Sequence, residues 1–330
     1  MAAKPVPVSD DYDIEMLAQL RRAHADLKAQ IGRRIVGHDQ IVDNLVAAIL
    51  AGGHAILVGV PGLAKTLLIQ TVAKCLDLTF QRIQFTPDLM PGDITGTELL
   101  EEDHGTGKRE FKFIQGPVFA QVVLADEINR APPKTQAALL QSMQEHTVTV
   151  AGKTYNLPEP FFVLATQNPI EQEGTYSLPE AQLDRFMFEL RMGYPSKEEE
   201  ERIVVTTTGA DEVTLHPVLD AATLRGMQAL VRRIPASPVL VQYAVPMARR
   251  TRPHDQSASD LVKKYVSYGA GPRASQYLTL AAKARAAMDG RGIPDKEDVN
   301  HAALSVLRHR MVLNFQAEAE GVGPEKILGL

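Results

Sequence analysis

Short runs that are apolar or alternate between apolar and polar residues recur up to about residue 192. They have the length of buried strands and cover residues 55–59, 80–85, 121–125, 161–166 and 186–191. Segments with apolar residues at helical spacing lie before and between them, at 12–32, 38–50, 65–77, 135–145 and 179–183. Strands that alternate with helices in this way predict a doubly wound α/β fold with a parallel five-stranded sheet and helices on both faces.

Two further pairs of extended segments interrupt this alternation. The first pair lies within residues 93–115 around a polar, glycine-containing stretch at 103–107. The second lies within residues 147–157 and turns at Ala151 and Gly152. Extended segments joined by a short glycine-containing turn are typical of β-hairpins. The sequence therefore predicts two hairpin insertions in the sheet domain.

Strand signals largely stop after Pro195. Ser196 is a predicted N-cap, and the acidic residues that follow it suit the positive end of a helix dipole. Further helices are predicted at 221–232, 237–251, 258–267, 273–289 and 295–312. We therefore expect a disordered segment at 1–11, an αβα domain at 12–193 that begins with a helix, and a small all-helical domain at 194–330. The segment after Gln316 is either a tail or a last helix.

The composition is that of an ordinary globular protein. The 330 residues are 45% hydrophobic and 23% charged, enough for about two domains. A net charge of −5 weighs against a dedicated nucleic-acid binder, although it allows a local basic patch. The single cysteine, Cys75, excludes a disulfide within the chain. Residues 1–11 lack the apolar core of a signal peptide, and polar residues break the most apolar stretch, 41–60, so we expect a cytoplasmic protein with no membrane span.

A glycine-rich turn joins the first predicted strand to the helix after it, with the sequence GVPGLAKT at 59–66. Backbone N–H groups and a helix N-terminus converge in such a turn and attract phosphate. Lys65 adds a charge for the β- and γ-phosphates, and Thr66 adds a hydroxyl for Mg²⁺. The P-loop pattern has glycine at the position of Ala64. We expect a negative φ at Ala64, with Gly59 or Gly62 taking the positive φ or the close approach to phosphate.

Polar side chains follow two of the other predicted strands. Asp126 and Glu127 end the strand at 121–125; the first is a candidate Mg²⁺ ligand and the second a candidate to orient an attacking water. Asn168 follows the strand at 161–166 and is a candidate partner for the γ-phosphate or that water. The alternative for Asn168 is a simple turn with Pro169. Because the carboxyl ends of parallel strands share one edge of a sheet, the three side chains are expected at one site.

Two arginines complete the candidate set. Arg185 precedes the fifth strand and Arg273 opens a predicted helix of the second domain. An arginine can stabilise the charge that spreads over a transferred phosphoryl group. The alternatives are a salt bridge from Arg185 to Asp184 or Glu189, and a solvated helix start for Arg273.

Together these motifs resemble the MoxR type of AAA+ ATPase, within the helix-2-insert branch that includes magnesium chelatase subunits. The resemblance covers residues 35–275 almost continuously and rests on residues 59–66, 126–136, 165–169, 178–186 and 271–273. It implies Walker A at Lys65 and Thr66, and Walker B at Asp126 and Glu127. It also implies a first sensor at Asn168, an arginine finger at Arg185 that acts on a neighbour's ATP, and a second sensor at Arg273.

The resemblance also implies the residues that hold ATP and Mg²⁺. Residues 35–38 match the segment that lines the adenine pocket. The expected nucleotide-binding residues are Val36, Gly37, Gly59, Pro61, Gly62, Leu63, Ala64, Lys65, Thr66, Leu67 and Asp126. Thr66 and Asp126 are expected to hold Mg²⁺, partly through water. Glu127, Asn168, Arg185 and Arg273 are the expected catalytic residues.

The resemblance further implies a ring of identical subunits, with a hexamer as the expectation and ATP at the subunit boundaries. Such proteins are thought to remodel or mature partner complexes, often with a von Willebrand factor A-domain protein, and no sequence feature names the client. The two hairpins of this branch tend to point towards the pore. Three alternatives stay open: a DNA motor that uses the basic hairpin residues Lys108, Arg109 and Lys153, a chelatase-like subunit for metal insertion, and a non-hydrolysing scaffold suggested only by Ala64.

Overall fold

A computed structural model describes residues 11–102, 109–170, 174–209 and 213–329. The helices are α1 (Asp11–Gly32), α2 (Asp39–Ala51), α3 (Lys65–Cys75), α4 (Pro91–Thr95), α5 (Pro133–Glu145), α6 (Glu180–Leu183), α7 (Lys197–Thr207), α8 (Ala221–Arg233), α9 (Pro238–Arg249), α10 (Asp260–Tyr265), α11 (Pro272–Met288), α12 (Lys296–Leu307), α13 (Phe315–Ala319) and α14 (Pro324–Leu328). The strands are β1 (Ala55–Val58), β2 (Phe80–Gln84), β3 (Gly96–Glu102), β4 (Arg109–Gln115), β5 (Val122–Asp126), β6 (Thr147–Val150), β7 (Lys153–Asn156), β8 (Phe162–Gln167), β9 (Phe188–Arg191), β10 (Val266–Tyr268) and β11 (Val312–Leu313).

The predicted five-stranded parallel sheet is confirmed, and its strands lie in the order β2-β5-β8-β1-β9. Every residue of β5 is buried, and β8 is buried as far as Thr166. Such strands have an apolar layer on each face, which is why they read as continuous apolar runs. The carboxyl ends of β1, β5 and β8 are adjacent, and this edge carries the loops that hold the candidate site.

Both predicted hairpins are present. β3 pairs with β4 and β6 pairs with β7, each antiparallel. The predicted turn at 103–107 and Lys108 lie outside the described residues. The hairpins contact each other, since the Phe113 ring stacks on Tyr155 with 4.3 Å between centroids and Lys153 lies 3.9 Å from Glu98. A stacked aromatic pair of this kind joins the two insertions into one unit.

Helices from both halves of the chain share one hydrophobic core. α8 and α11 pack against α1 and α2, on the face of the sheet that also carries α3. Ser196 caps α7 as expected, with its side chain accepting from the Glu199 N–H. The segment 1–10, predicted to be disordered, lies outside the described residues. Within the described ranges, no helix is both long and apolar enough to cross a membrane.

The C-terminal part is not purely helical. β10 and β11 form a short antiparallel pair, which the sequence analysis missed because strands of two or three residues carry too little periodicity to register. After Asn314, whose side chain caps α13, the chain forms the two short helices α13 and α14. The segment after Gln316 is therefore helical.

One histidine, His54 before β1, is buried as a neutral group in contact with β8. His54 Nδ1 accepts from the Val163 N–H at 3.0 Å, and Nε2 lies 3.1 Å from the carbonyl oxygen of Met143. The tautomer that carries its proton on Nε2 satisfies both contacts. Burial lowers the pKa of His54 from 6.5 to about 4. Between these values the unfolded chain binds a proton that the folded protein does not bind, so the protein loses stability as pH falls through this window.

We expect His54→Gln, which retains a donor and an acceptor, to flatten this pH dependence. Between about pH 6.5 and pH 5, wild type should lose up to ~1.4 kcal/mol of unfolding free energy per pH unit more than the variant loses. Urea unfolding followed by circular dichroism at several pH values measures the slopes. The exposed His216→Gln serves as the control and should keep the wild-type slope. Equal slopes for wild type and His54→Gln would show that His54 is not the titrating group.

Candidate functional site

Three loops meet at the carboxyl edge of the sheet and enclose one pocket. They follow β1, β5 and β8, and β8 lies between the other two strands in the sheet. The pocket is lined by Pro61, Gly62, Leu63, Ala64, Lys65, Thr66, Leu67, Arg82, Asp126, Glu127, Thr166 and Asn168. The structure therefore brings together most of the residues that the sequence motifs singled out, and adds Arg82 and Thr166.

The loop between β1 and α3 turns through two left-handed residues. Gly62 has φ +88°, as expected, and Ala64 has φ +58°. The expectation of a negative φ at Ala64 is wrong, because Ala64 is the N-cap residue and the chain must turn sharply before α3 begins at Lys65. Gly59 serves a different purpose: a Cβ there would lie 2.8 Å from the carbonyl oxygen of Met192. The loop thus packs closely against the residue after β9.

Lys65 lies over this loop. Its ammonium group donates to the carbonyl oxygens of Gly59 and Val60, the second at 2.8 Å. A primary ammonium group has three donors on a flexible stem, so it can exchange carbonyl oxygens for phosphate oxygens with little rearrangement.

The Asp126 carboxylate joins four elements at the centre of the site. Oδ1 accepts from the Thr166 hydroxyl at 2.5 Å. Oδ2 accepts from Arg82 Nε at 3.0 Å and Nη2 at 2.6 Å, and from the Thr66 hydroxyl at 3.3 Å. The side chain is buried, so these contacts compensate a charge that has lost its hydration.

Arg82 and Thr166 were not predicted as site residues from the sequence, although each carried a usable signal. Gln84 of β2 lies opposite Asp126 of β5. Arg82 is two residues before Gln84, so its side chain lies on the same face of the sheet as that of Gln84. Thr166 is a polar residue near the end of an otherwise apolar strand. Both signals depend on knowing that β2, β5 and β8 are neighbours, and the chain order alone does not give that.

Glu127 has a strained backbone and a side chain that other residues hold. Its φ is +57°, a left-handed conformation that costs a non-glycine residue about 1 kcal/mol or more. Its N–H donates to the Thr166 hydroxyl at 2.9 Å. Its Oε2 accepts from Gln84 Nε2 at 3.0 Å and lies 3.2 Å from Arg130 Nε. The carboxylate at the pocket edge is thus drawn towards β2.

Asn168 presents a free donor to the pocket. The residue is 3% exposed, and Oδ1 accepts from the Ile170 N–H at 3.3 Å, so the turn with Pro169 forms. Among the described residues, Nδ2 has no hydrogen-bond partner. A buried amide donor without a partner costs about 1–3 kcal/mol. A phosphate oxygen or a water in the pocket would satisfy it, so the turn and the functional interpretation are compatible.

Arg185 and Arg273 lie outside this pocket. Arg273 Nη1 donates to Asp184 Oδ2 at 2.8 Å, so it is not a solvated helix start. Arg185 is half-buried, and within the described part of the chain it forms no ion pair. Glu189 instead pairs with Arg191. Both alternatives considered for these arginines from the sequence are therefore wrong.

Val36 and Gly37 also lie outside the lining of the pocket. Gly37 has φ +75°, and a Cβ there would lie 2.5 Å from Glu199 Oε1. The segment is therefore wedged against the first turn of α7. Its proposed contact with adenine stays a prediction.

The donor set suits Mg²⁺ that arrives with phosphates. Thr66 and Asp126 supply hard oxygen donors, and Mg²⁺ in proteins commonly uses one or two such ligands together with substrate phosphates and water. In the described ranges, no cluster of three or more His, Cys, Asp or Glu side chains could hold a metal alone. The residues present therefore fit a phosphate-bound Mg²⁺ and do not form a dedicated metal cage.

Comparison with known proteins agrees with this geometry. The family model described as "ATPase family associated with various cellular activities (AAA)" matches residues 54–188, and the model described as "AAA lid domain" matches residues 258–328. Chaperone MoxR1 of Mycobacterium tuberculosis is 44% identical over 299 residues, which cover 91% of this chain and 78% of that protein. The chain belongs to the MoxR family of AAA ATPases.

Other relatives of this MoxR-family chain support the assignment. Protein MoxR of Methylorubrum extorquens is 32% identical, with 90% of each chain covered. A crystal structure of a protein from Cytophaga hutchinsonii superposes with a TM-score of 0.87 at 39% identity, and covers 96% of this chain and 94% of its own. The resemblance drawn from the motifs is therefore confirmed.

The conformation of Ala64 can be tested by replacing it with glycine. We expect Ala64→Gly to raise the free energy of unfolding by roughly 0.5–1 kcal/mol, because glycine takes a positive φ without steric cost. The control is Ala137→Gly, at an exposed position within α5, which should lower stability by roughly 0.5–1 kcal/mol. Urea unfolding measures both. A loss of stability in both variants would contradict a left-handed Ala64.

Proposed function

We propose that this MoxR-family protein binds and hydrolyses Mg-ATP in the pocket around Asp126. The observation that best supports this is the convergence of three groups on one pocket: Lys65 and Thr66 at the start of α3, the Asp126–Glu127 pair, and the unpartnered amide donor of Asn168. This combination offers phosphate contacts, metal ligands, a base and a polar donor, as phosphoryl transfer to water requires.

Each residue has a distinct role in the proposed reaction. The loop N–H groups and the Lys65 ammonium bind the phosphates, and Thr66 and Asp126 hold Mg²⁺. When bound, Mg²⁺ neutralises charge on the phosphate oxygens. Glu127 orients the attacking water, which requires its carboxylate to turn from Gln84 and Arg130 towards the pocket. Asn168 Nδ2 donates to the γ-phosphate or to that water.

Arg185 is proposed to act on the ATP of a neighbouring subunit. Its half-exposed side chain has no acidic partner in the described ranges and does not line the pocket of its own subunit. A guanidinium placed in this way is available to a second molecule. A ring of identical subunits, with a hexamer as the expectation, would place it at the next site. Arg273 is proposed as the second sensor, and Val36 and Gly37 as contacts to adenine.

The proposed biological role is chaperone-like remodelling or maturation of a partner complex in the cytoplasm. The similarity to Chaperone MoxR1 supports it, and a von Willebrand factor A-domain partner remains part of the proposal. A DNA motor is less well supported, because basic residues on the hairpins are paired: Arg109 lies 2.9 Å from Glu102, and Lys153 lies 3.9 Å from Glu98. Among the contacts of the described residues, none specifically favours the chelatase-like alternative.

Two substitutions should separate binding from hydrolysis. Lys65→Ala should weaken ATP binding by about 10²-fold or more, since contacts to charged groups contribute ~1.5–3 kcal/mol each and this cation makes several. Glu127→Gln should bind ATP as wild type does and lose turnover by about 10²–10⁴-fold. A fluorescent ATP analogue measures affinity, and phosphate release measures turnover. Background turnover in wild type at every protein concentration would favour the scaffold alternative and overturn the proposal.

Mixed rings should show whether Arg185 acts between subunits. Arg185→Ala alone should lose turnover by about 10³-fold or more, as removal of an arginine finger does. Mixing it with an excess of Glu127→Gln, which is hydrolysis-dead but keeps Arg185, should restore turnover at the Arg185→Ala sites. Wild type mixed with Glu127→Gln at the same ratio is the control. If turnover does not recover in the mixed rings, Arg185 does not act on the ATP of a neighbouring subunit.

A further inference from the structure

The residue before Arg185 is held by two arginines from the C-terminal part of the chain. Asp184 Oδ1 accepts from Arg310 Nε, and Oδ2 accepts from Arg273 Nη1, each at 2.8 Å. The two arginines differ in exposure: the Arg310 side chain is 1% exposed and that of Arg273 is 37% exposed. Arg310 is therefore a fixed part of the interior, whereas Arg273 lies at its edge.

The same C-terminal side chains also hold the backbone around Arg185. Arg310 Nη2 donates to the carbonyl oxygens of Asp184 at 2.9 Å and Phe186 at 2.6 Å, and Nη1 donates to that of Met187 at 3.3 Å. The Tyr277 hydroxyl donates to the carbonyl oxygen of Arg185 at 3.3 Å. Four consecutive carbonyl groups, from residue 184 to residue 187, are thus bound by side chains of α11 and of the turn after α12.

These contacts form one compact cluster. The Arg310 guanidinium lies 5.1 Å from the centre of the Tyr277 ring, and the buried His309 Nε2 lies 3.0 Å from the Phe186 carbonyl oxygen. Burial, followed by the charge of Arg310, holds the pKa of His309 well below its usual value, so the ring stays neutral beside the guanidinium. A buried, fully hydrogen-bonded arginine is a rigid support, because moving it would leave a charge without partners.

These contacts could serve only to attach the C-terminal domain to the sheet domain. That function would not explain why they gather around Arg185. Arg233 and Asp13 also join distant parts of the chain, with a closest contact of 2.5 Å, and neither residue lines the pocket. The Arg310 contacts instead converge on Asp184, Phe186 and Met187, on both sides of Arg185. The Arg185 side chain itself is left without an acidic partner in the described ranges. The backbone is fixed and the functional side chain remains available.

We propose that Arg310 and Asp184 are positioning residues that fix the backbone of Arg185, so that the C-terminal domain of one subunit sets the geometry of the arginine that meets the next subunit's ATP. This inference rests on the proposed function of Arg185. Displacement of a reacting or stabilising group by about 1 Å can cost ~10²-fold in rate, so a modest shift of this turn is enough to matter. Arg273 also binds Asp184, so movement of the C-terminal domain would change the contacts that hold Asp184.

The test uses the full-length protein with Arg310→Lys, which keeps the charge but loses the planar fork that reaches several carbonyls. Turnover should fall by about 10-fold or more while affinity for ATP stays at the wild-type value. In rings with excess Glu127→Gln, turnover per Arg310→Lys subunit should return to that of wild type mixed at the same ratio. The control, Arg233→Lys, changes an arginine of another long-range ion pair, with Asp13, and should behave as wild type.

A second readout does not depend on hydrolysis. Trypsin cleaves after arginine, and we expect the Arg185–Phe186 bond to be protected while the carbonyl groups of residues 184–187 are bound. Arg310→Lys, and the milder Tyr277→Phe, should be cut there faster than wild type and Arg233→Lys. Tyr277→Phe replaces Arg310→Lys in the turnover assay if the latter does not fold.

The outcomes distinguish the positioning role of Arg310 from the proposed hydrolysis of ATP. Unchanged turnover in Arg310→Lys, or a loss that mixed rings do not restore, overturns the positioning role, as does unchanged cleavage after Arg185. If wild type itself does not hydrolyse ATP, the proposed function fails, and the cleavage rates still decide whether Arg310 holds the Arg185 turn.

Discussion

The buried carboxylate of Asp126 is the interaction on which the rest of the site depends. It accepts hydrogen bonds from Thr66 at the start of α3, from Arg82 on β2 and from Thr166 near the end of β8, so it joins these elements to β5. A buried anion is tolerated only where its partners are in place. Asp126 is therefore satisfied only where β2, β5, β8 and the start of α3 are in place together.

The local motifs were predictable because each occupies a short stretch with its own physical signature. Apolar runs marked β1, β5 and β8, and the polar residues that end them placed Asp126, Glu127 and Asn168 at one edge. The left-handed Ala64 was not predictable, because the entry angle into α3 decides its φ and the sequence gives no measure of that angle. Arg82 was also missed, since its role depends on β2 being the neighbour of β5.

The long-range contacts of the C-terminal part of the chain were the least predictable feature. The expected helices α8 to α12 formed close to the expected positions, yet periodicity could not show that Arg310 reaches across 126 residues to Asp184. Such a contact joins one buried cation to one carboxylate and several carbonyl groups, and each partner alone looks ordinary in sequence. Long-range polar contacts of this kind connect the sheet to the helical part and bind the backbone carbonyl groups on both sides of Arg185.

A structure of Glu127→Gln with ATP and Mg²⁺, determined by cryo-electron microscopy, tests the central claim most directly. We expect ATP at the loop between β1 and α3, with the Asn168 amide at the γ-phosphate or the adjacent water. We also expect Arg185 of a neighbouring subunit within about 3 Å of a γ-phosphate oxygen. Nucleotide bound elsewhere, or a γ-phosphate contacted only by residues of its own subunit with Arg185 in solvent, would contradict the account.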